Sequence, residues 1–287
     1  MTGLAEPPAP GQPMLPAGTY ADDVVLVTGG GTGIGRAIAV EFARLGASIA
    51  IASRDGDHRH RGVAAVEAAG GRGFGVELDV RDPDAVAGAF ESVDAALGPI
   101  TVLVNNAAGN FAAPAEKMSP RAWRSVTGSV LDGTFYCSSE LARRAIGARR
   151  PASILNIGAT YAWTGGPGTA HSAAAKAGVA NLTMSLAVEW APHGIRVNGL
   201  VPGSFPHNDH PEALRRGRTD EGLARRIPAG RVGRLHELGW AATYLCSPYA
   251  AYLTGHMLVL DGANWLRRGL TMPTFTPVHE QLPSREK

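Results

Sequence analysis

The sequence of 287 residues holds only two cysteines, Cys137 and Cys246, far apart in segments of helical period. Neither sits at a metal-ligand or Cys-x-x-Cys spacing, which excludes a disulfide scaffold, a zinc ribbon and a thiol redox motif and points to a reducing compartment. Both read as small apolar core residues. No run approaches the roughly eighteen apolar residues of a membrane helix. The first twenty residues carry Pro and Gly without the basic-then-apolar order of a signal peptide. The expectation is a soluble, cytoplasmic protein. Charge of one sign is also scarce: 27 Lys and Arg against 25 Asp and Glu leave a net +2, too little to argue for a nucleic-acid surface. Arginines do cluster at Arg143, Arg144, Arg149 and Arg150, which read as a solvated helix face, and at Arg215, Arg216, Arg218, Arg225 and Arg226, where an anionic ligand competes with that reading. His207-Asn208-Asp209-His210 lacks a third ligand in view and is not taken as a metal site.

What is present is a regular alternation. With 45% hydrophobic and 18% charged residues, the chain has enough apolar material for one large core and is short for two domains. Short apolar runs at Val24–Val27, Ser48–Ala52, Gly73–Leu78, Thr101–Val104, Ser153–Ile157, Arg196–Val201 and Met257–Leu260 read as strands, separated by segments of helical period. Nearly continuous apolar strands, each followed by an amphipathic segment, are what a parallel sheet covered on both faces requires. The fold expected is a doubly wound α/β domain over residues 21–270, with a seven-stranded parallel sheet. Residues 1–20 form an extension and 271–287 a tail with Pro273, Pro277 and Pro283, each ordered only by docking. The stretch 203–226, with Pro206, His207, His210 and Pro211, interrupts the alternation after a strand, where a substrate lid would insert.

Thr28-Gly29-Gly30-Gly31-Thr32-Gly33-Ile34-Gly35 follows the first strand and opens a helix through Ala37, Ile38, Val40, Phe42 and Leu45. Glycines there let the backbone turn tightly and approach a pyrophosphate that faces the helix N-terminus, so Gly29, Gly31, Thr32, Gly33, Ile34 and Gly35 are candidate dinucleotide contacts. The second strand ends Ala52-Ser53-Arg54, without the acidic residue that would bond an adenosine ribose 2′-hydroxyl. An arginine suits a 2′-phosphate instead, which favours NADPH. Asp79, after the third strand, is placed to meet adenine or to act as an ordinary turn residue.

Taken in order, 28-TGGGTGIG-35, 105-NNAAG-109, Lys176 on a helix and 202-PG-203 resemble the short-chain dehydrogenase/reductase family over roughly residues 22 to 265. The resemblance implies a single-domain Rossmann-like fold. It implies that Asn105 to Gly109, with Asn106 and Ala107, flank the adenine ribose and nicotinamide. Lys176 would bond the nicotinamide ribose, and Pro202, Gly203, Ser204 and Phe205 would meet the carboxamide.

A departure from that pattern narrows it. Where a carbonyl reductase of this family carries tyrosine, four residues before Lys176, the chain has Ser172, and the nearest upstream phenol is Tyr161. A serine hydroxyl is a far weaker acid than a phenol, whose pKa is about 10. A tyrosine eleven residues before the serine, with 105-NNAAGNF-111, 119-SPRAW-123, 79-DVRDPD-84, 52-ASR-54, 226-RIPAG-230 and 14-MLP-16, is similar to the 2,4-dienoyl-CoA reductase branch. This resemblance implies active-site roles for Tyr161, Ser172 and Lys176. It puts Arg54, Arg81, Phe111 and Ser119 at positions that contact cofactor or acyl-CoA, with Tyr161 and Arg215 also assigned to the substrate. Asp132 falls where most of the family has asparagine, and serves either as an acid on a proton path or as a charge partner for Lys176 or a helix-kink water. His171 is expected to contact substrate or solvent rather than to perform acid–base work. Trp123 follows Ser119 as N-cap and Pro120 as first helical residue and reads as a packing residue. Burial of the helices starting near Ser119 and Ala170 between subunits, with Ala173, Ala177 and Ala180 allowing close approach, implies a homotetramer; the same alanines suit packing within one subunit. Two alternatives stay open: a 2-enoyl- or 3-oxoacyl-thioester reductase of the same family, and a protein that binds NADP without catalysis.

If Arg54 holds a 2′-phosphate, Arg54→Ala raises the NADPH KM by roughly tenfold or more, the loss expected for one charge-assisted hydrogen bond, and leaves the NADH KM nearly unchanged. Steady-state kinetics with both nucleotides checks this, and equal effects would refute the assignment.

Overall fold

In the computed structural model, residues 4–209 and 219–266 are described, and they build one α/β unit. Strands β1 (Val24–Thr28), β2 (Ser48–Ser53), β3 (Arg72–Glu77), β4 (Val102–Asn105), β5 (Ala152–Ile157), β6 (Ile195–Pro202) and β7 (Met257–Leu260) form a parallel sheet in the order β3-β2-β1-β4-β5-β6-β7. The helices between them are α1 (Gly33–Arg44), α2 (Gly56–Ala68), α3 (Pro83–Leu97), α4 (Pro120–Thr127), α5 (Gly133–Gly147), α6 (Tyr161–Thr164), α7 (Ala170–Trp190), α8 (Asp220–Ala224) and α9 (Leu235–Cys246).

Side chains of the central strands alternate between two buried layers, which is why these strands read as continuous apolar runs. Leu26, Ala50, Leu103, Ile154 and Val197 point to the layer shared with α3, α5 and α7. Val25, Ile49, Val104, Leu155 and Leu200 point to the layer shared with α1, α2 and α9, where Phe42 and Leu238 are fully buried. Cys137 and Cys246 lie one in each layer as free thiols.

Local signals set the helix starts. Asp82 caps α3 by accepting from the amides of Asp84 and Ala85, with Pro83 in the first turn. Ser119 caps α4, accepting from Ala122 at 3.2 Å, again ahead of a proline. Between α4 and α5 the chain does not break: Gly128–Asp132 is a π-helical segment that joins them into one long, re-aimed helix. Gly62 of α2 packs where an added methyl group would lie 2.7 Å from Ile51 Cγ2 and 3.0 Å from Gly31 Cα.

Residues 4–20 dock on the body of the same chain. The Leu4 amide donates to Ala229 at 2.7 Å, Glu6 pairs with Arg234 at 2.9 Å, and the Pro8 carbonyl meets His236. Tyr20 is buried edge-on to Phe42 with its hydroxyl donating to the Thr243 carbonyl. Of the two long helices expected to pair subunits, α7 buries Ala173 and Ala180 within its own subunit and leaves Ala177 exposed. Among the described residues no helix is long and apolar enough to cross a membrane, and no group of three or more His, Cys, Asp or Glu could hold a metal ion.

Because the backbone of the glycine-rich turn has no slack against α2, Gly62→Ala is expected to destabilise the protein by about 1–3 kcal/mol through overpacking, seen as a lowered Tm in thermal unfolding. An unchanged Tm would mean that the turn and α2 separate easily.

Candidate active site

The strand order reverses between β1 and β4, and a crevice opens at their carboxyl ends. Two loops line it and are bonded to each other. The Thr28 hydroxyl accepts from the amides of Asn106 and Ala107, both at 3.0 Å, while the Asn106 side-chain amide donates to the carbonyls of Thr28 at 2.9 Å and Gly29 at 3.1 Å. Asn106 and Ala107 thereby stand against the glycine-rich turn that carries Gly29, Gly31, Thr32, Gly33, Ile34 and Gly35.

The turn is built to hold an anion. Thr32, at the N-cap of α1, makes no side-chain cap, and the first turn of α1 carries no acidic residue. The Gly33 amide instead donates to Asp209 Oδ2 at 2.9 Å, and the same oxygen accepts from Arg36 Nη2 at 2.9 Å. A carboxylate thus stands where the pyrophosphate of a dinucleotide is expected, and the cradle fits that group. Desolvation opposes ionisation of Asp209, but the Gly33 amide, Arg36, His207 and Arg61 outweigh it and hold the carboxyl below its ordinary pKa.

At the far end of the crevice, past β2 and β3, Arg54, Asp79 and Arg81 come together. Arg81 Nε donates to Asp79 Oδ1 at 2.9 Å and Arg54 Nη1 lies 3.8 Å from Asp79 Oδ2. The hydrogen bond from Arg81 depresses the Asp79 pKa. Two arginines around one carboxylate leave a net positive site, with the Arg54 side chain mostly exposed. Arg54 and Arg81, both expected to contact cofactor or acyl-CoA, therefore share one site, and Asp79, expected at adenine or as an ordinary turn residue, is engaged by Arg81.

Tyr161 opens α6 just beyond the end of β5, and α6 packs on the start of α7. This brings the Tyr161 hydroxyl 3.0 Å from Ser172 Oγ. One helical turn on, the Lys176 ammonium donates to the Ile157 carbonyl at the end of β5. Lys176 is 7% exposed, and burial pulls its pKa down to about 8. The ammonium binds Ile157 rather than Asp132, and Asp132, exposed at the end of the π segment, forms no ion pair among the described residues.

Beside these groups the structure departs from expectation. His171, expected to meet substrate or solvent, is wholly buried, with neither ring nitrogen hydrogen-bonded and its ring 4.4 Å from that of Phe111, edge to face. Helical geometry explains this: residue 171 points a quarter-turn away from Ser172, onto the face shared with Ala175 and Val179, where Phe111, Val126 and Val130 also pack. Trp123, expected to pack, is 41% exposed. With Ala115, Met118, Pro120, Arg124 and Ala170 it lines a cleft of about 460 Å³ beside the α4 cap Ser119. Pro202 and Gly203 end β6, where the Gly203 amide donates to Leu260. The Phe205 ring is buried in the core against Gly233, so only its backbone is open to a ligand, and the Ser204 carbonyl accepts from the Gly233 amide. Arg215, with His210, Pro211, Arg216 and Arg218, lies outside the described residues. Sequence reasoning passed over Arg36 in the cradle and the Ile157 carbonyl under Lys176, and met Asp209 only in the 207–210 cluster set aside as a metal site.

Residues 29–263 match the family described as enoyl-(acyl carrier protein) reductase. The chain belongs to the short-chain dehydrogenase/reductase family. It is 39% identical over 246 residues to a probable 2,4-dienoyl-CoA reductase [(2E)-enoyl-CoA-producing] of Bacillus subtilis (strain 168), covering 84% of this chain and 96% of that one. It is 38% identical to the probable 2,4-dienoyl-CoA reductase decr-1.2 [(3E)-enoyl-CoA-producing] of Caenorhabditis elegans, with 87% and 82% covered. Among solved structures, a gluconate 5-dehydrogenase of Burkholderia cenocepacia in complex with NADP and tartrate superimposes with a TM-score of 0.80 at 30% identity, over 88% of this chain and 98% of that one. This short-chain reductase is therefore an oxidoreductase whose relatives include the 2,4-dienoyl-CoA reductases.

The position of Lys176 carries a pH signature. In an unfolded chain its pKa is 10.5, so between pH 8 and pH 10.5 the unfolded state binds the extra proton and stability rises with pH; below pH 8 both states are protonated and the burial penalty is present in full. In the cofactor-free protein, Lys176→Met is expected to flatten that rise, by up to about 3 kcal/mol. Denaturant titrations at pH 7, 8.5 and 10 check it, and parallel curves for the two proteins would contradict it.

Proposed function

We propose that the protein is an NADPH-dependent 2,4-dienoyl-CoA reductase acting on acyl-CoA thioesters in unsaturated fatty acid oxidation. The observation that carries the reading is the phenol of Tyr161 held 3.0 Å from Ser172 Oγ, with Lys176 one turn below.

In ketone reduction the carbon that accepts hydride and the oxygen that gains charge are bonded neighbours, about 1.2 Å apart. In conjugate reduction of a dienoyl thioester several atoms separate them. The acid that meets the oxygen must then stand away from the nicotinamide, and α6 carries Tyr161 beyond the serine that fills the nearer position. When bound, NADPH supplies the hydride, which adds to C5 of the dienoyl chain. Tyr161 donates to the thioester oxygen as it gains charge, and Ser172 orients the phenol. Lys176 is mostly protonated at pH 7, since its pKa is about 8, and its positive charge favours the dienolate. Protonation at Cα, from water or from Asp132, gives a 3-enoyl-CoA, the product class in the name of the C. elegans relative; protonation further along the dienolate gives the 2-enoyl isomer in the name of the Bacillus relative.

NADPH is supported by Arg54 and Arg81 at the end of the crevice, where β2 ends without a carboxylate, and by the NADP in the Burkholderia structure. A cytoplasmic setting agrees with two buried thiols whose pKa values burial raises to about 12 and about 11. A homotetramer is supported by apolar side chains left open on the two long helices, Phe135 on α5 and Met184 and Val188 on α7. A second reading, reduction of a 2-enoyl thioester at C3, is favoured by the enoyl-reductase description of the matching family.

NADPH oxidation with a 2,4-dienoyl-CoA, a 2-enoyl-CoA and a 3-oxoacyl-CoA of equal chain length separates the readings. The dienoyl substrate is expected to turn over fastest, and preference for either of the others would overturn the proposal. Tyr161→Phe is expected to cut kcat by about 100-fold or more, the loss typical of an oxyanion donor, with NADPH binding unchanged. An unaltered rate would remove Tyr161 from the mechanism.

A further inference from the structure

The α1 N-terminus is capped by a residue 176 positions away. Asp209 reaches it from the segment that follows β6, and its carboxylate takes the Gly33 amide and Arg36 with one oxygen while Arg61 Nη1 lies 3.9 Å from the other. His207 of the same segment completes the contact. A methyl group added at Gly33 would lie 2.6 Å from His207 Cε1, so the ring rests directly on that residue, and His207 Nδ1 is 3.9 Å from Asp209 Oδ2. Gly33 has φ +47°, a left-handed conformation open to glycine. The Asp209 side chain is 13% exposed, so the carboxylate is enclosed rather than resting on the surface.

Gly33 has one N–H and Asp209 holds it. A pyrophosphate brought to the same helix end competes for that donor, beside a glycine on which the His207 ring already rests. The two occupants exclude each other. We infer that Asp209 is an internal anion that self-occupies the dinucleotide cradle, and that binding of the cofactor must expel the 206–209 segment from the end of α1. The contest is uneven by charge. Arg36 and Arg61 supply two fixed positive charges against the single negative charge of Asp209, whereas a pyrophosphate brings two. The latch therefore yields to the dinucleotide but lowers its apparent affinity by the fraction of molecules in which the cradle is already filled. Because the segment follows Pro202, the last residue of β6, expulsion of Asp209 also repositions the chain that leaves that strand.

The inference takes from the proposed function only the identity of the competing anion, and titration calorimetry separates the two. NADPH, adenosine 2′-monophosphate and inorganic pyrophosphate are titrated into the wild-type protein, Asp209→Asn and Asp209→Ala, with the fold of each variant checked by its melting curve. The expected result is an NADPH Kd about three- to tenfold lower in both variants. Asp209→Ala gains at least as much as Asp209→Asn, which keeps an acceptor for Gly33. The Kd for adenosine 2′-monophosphate, which has no pyrophosphate, stays unchanged. An NADPH Kd that is equal or higher in the variants overturns the inference while leaving NADPH as the cofactor. If no protein binds NADPH but pyrophosphate binds the variants more tightly than wild type, the cofactor assignment falls and the inference stands. If pyrophosphate binding is also indifferent to residue 209, the inference falls with it.

Discussion

The tie between Thr28 and Asn106 is what the rest of the site depends on. A parallel sheet whose strand order reverses leaves a gap at the turning point, and nothing in the sheet ladder itself fixes the distance between the loops on either side. Here the loops share four hydrogen bonds through one hydroxyl and one amide. The neighbouring residue extends the tie inward: the Asn105 amide donates to Ser138 and Asn156, and Asn156 donates to Thr183, all at 2.9 Å and all buried. That chain runs from β4 through β5 to α5 and α7. Next to the part-buried tie at the glycine-rich turn, this buried polar chain, each bond with both partners, fastens the end of β4 to the helix that carries Ser172 and Lys176.

Against that rigid frame the reactive groups are arranged by small displacements. Serine stands one turn before Lys176, and the phenol of Tyr161 stands on a separate short helix with its hydroxyl 3.0 Å from that serine. Lys176 keeps its bond to the backbone of β5 and, although buried, keeps its proton at neutral pH. The Lys176 ammonium is thus fixed by the sheet, while the Tyr161 hydroxyl is set by the loop after β5, the part of this fold most free to vary.

The strands were legible to within about a residue because burial on both faces gives each a continuous apolar run, and the glycine-rich turn was legible because its glycines follow β1 directly. Tyr161 and Ser172 were paired only through a family resemblance, since a gap of eleven residues spanning two helices has no periodic signature. What stayed hidden was set by tertiary geometry. The π segment at Gly128–Asp132 carries no proline. Burial of His171 depends on which face of α7 meets α4. Arg81 joins Arg54 because β2 and β3 are neighbours, and Asp209 reaches Gly33 across more than half the chain.

The order of the sheet has a consequence for how the chain is made. On a ribosome β1, β2 and β3 emerge first and can pair to one side of β1, and β4, β5, β6 and β7 then add in turn on its other side, so growth of the sheet reverses direction once. The outer face of α1 has no such early partner. Ala37 and Glu41 meet Gly239 of α9, residues 235–246, and Leu4 and Glu6 find their partners at Ala229 and Arg234. At synthesis rates of about 5–20 residues per second, the first helix waits for tens of seconds with that face uncovered. The nascent chain, rather than the finished enzyme, is the form in which this protein most needs a chaperone.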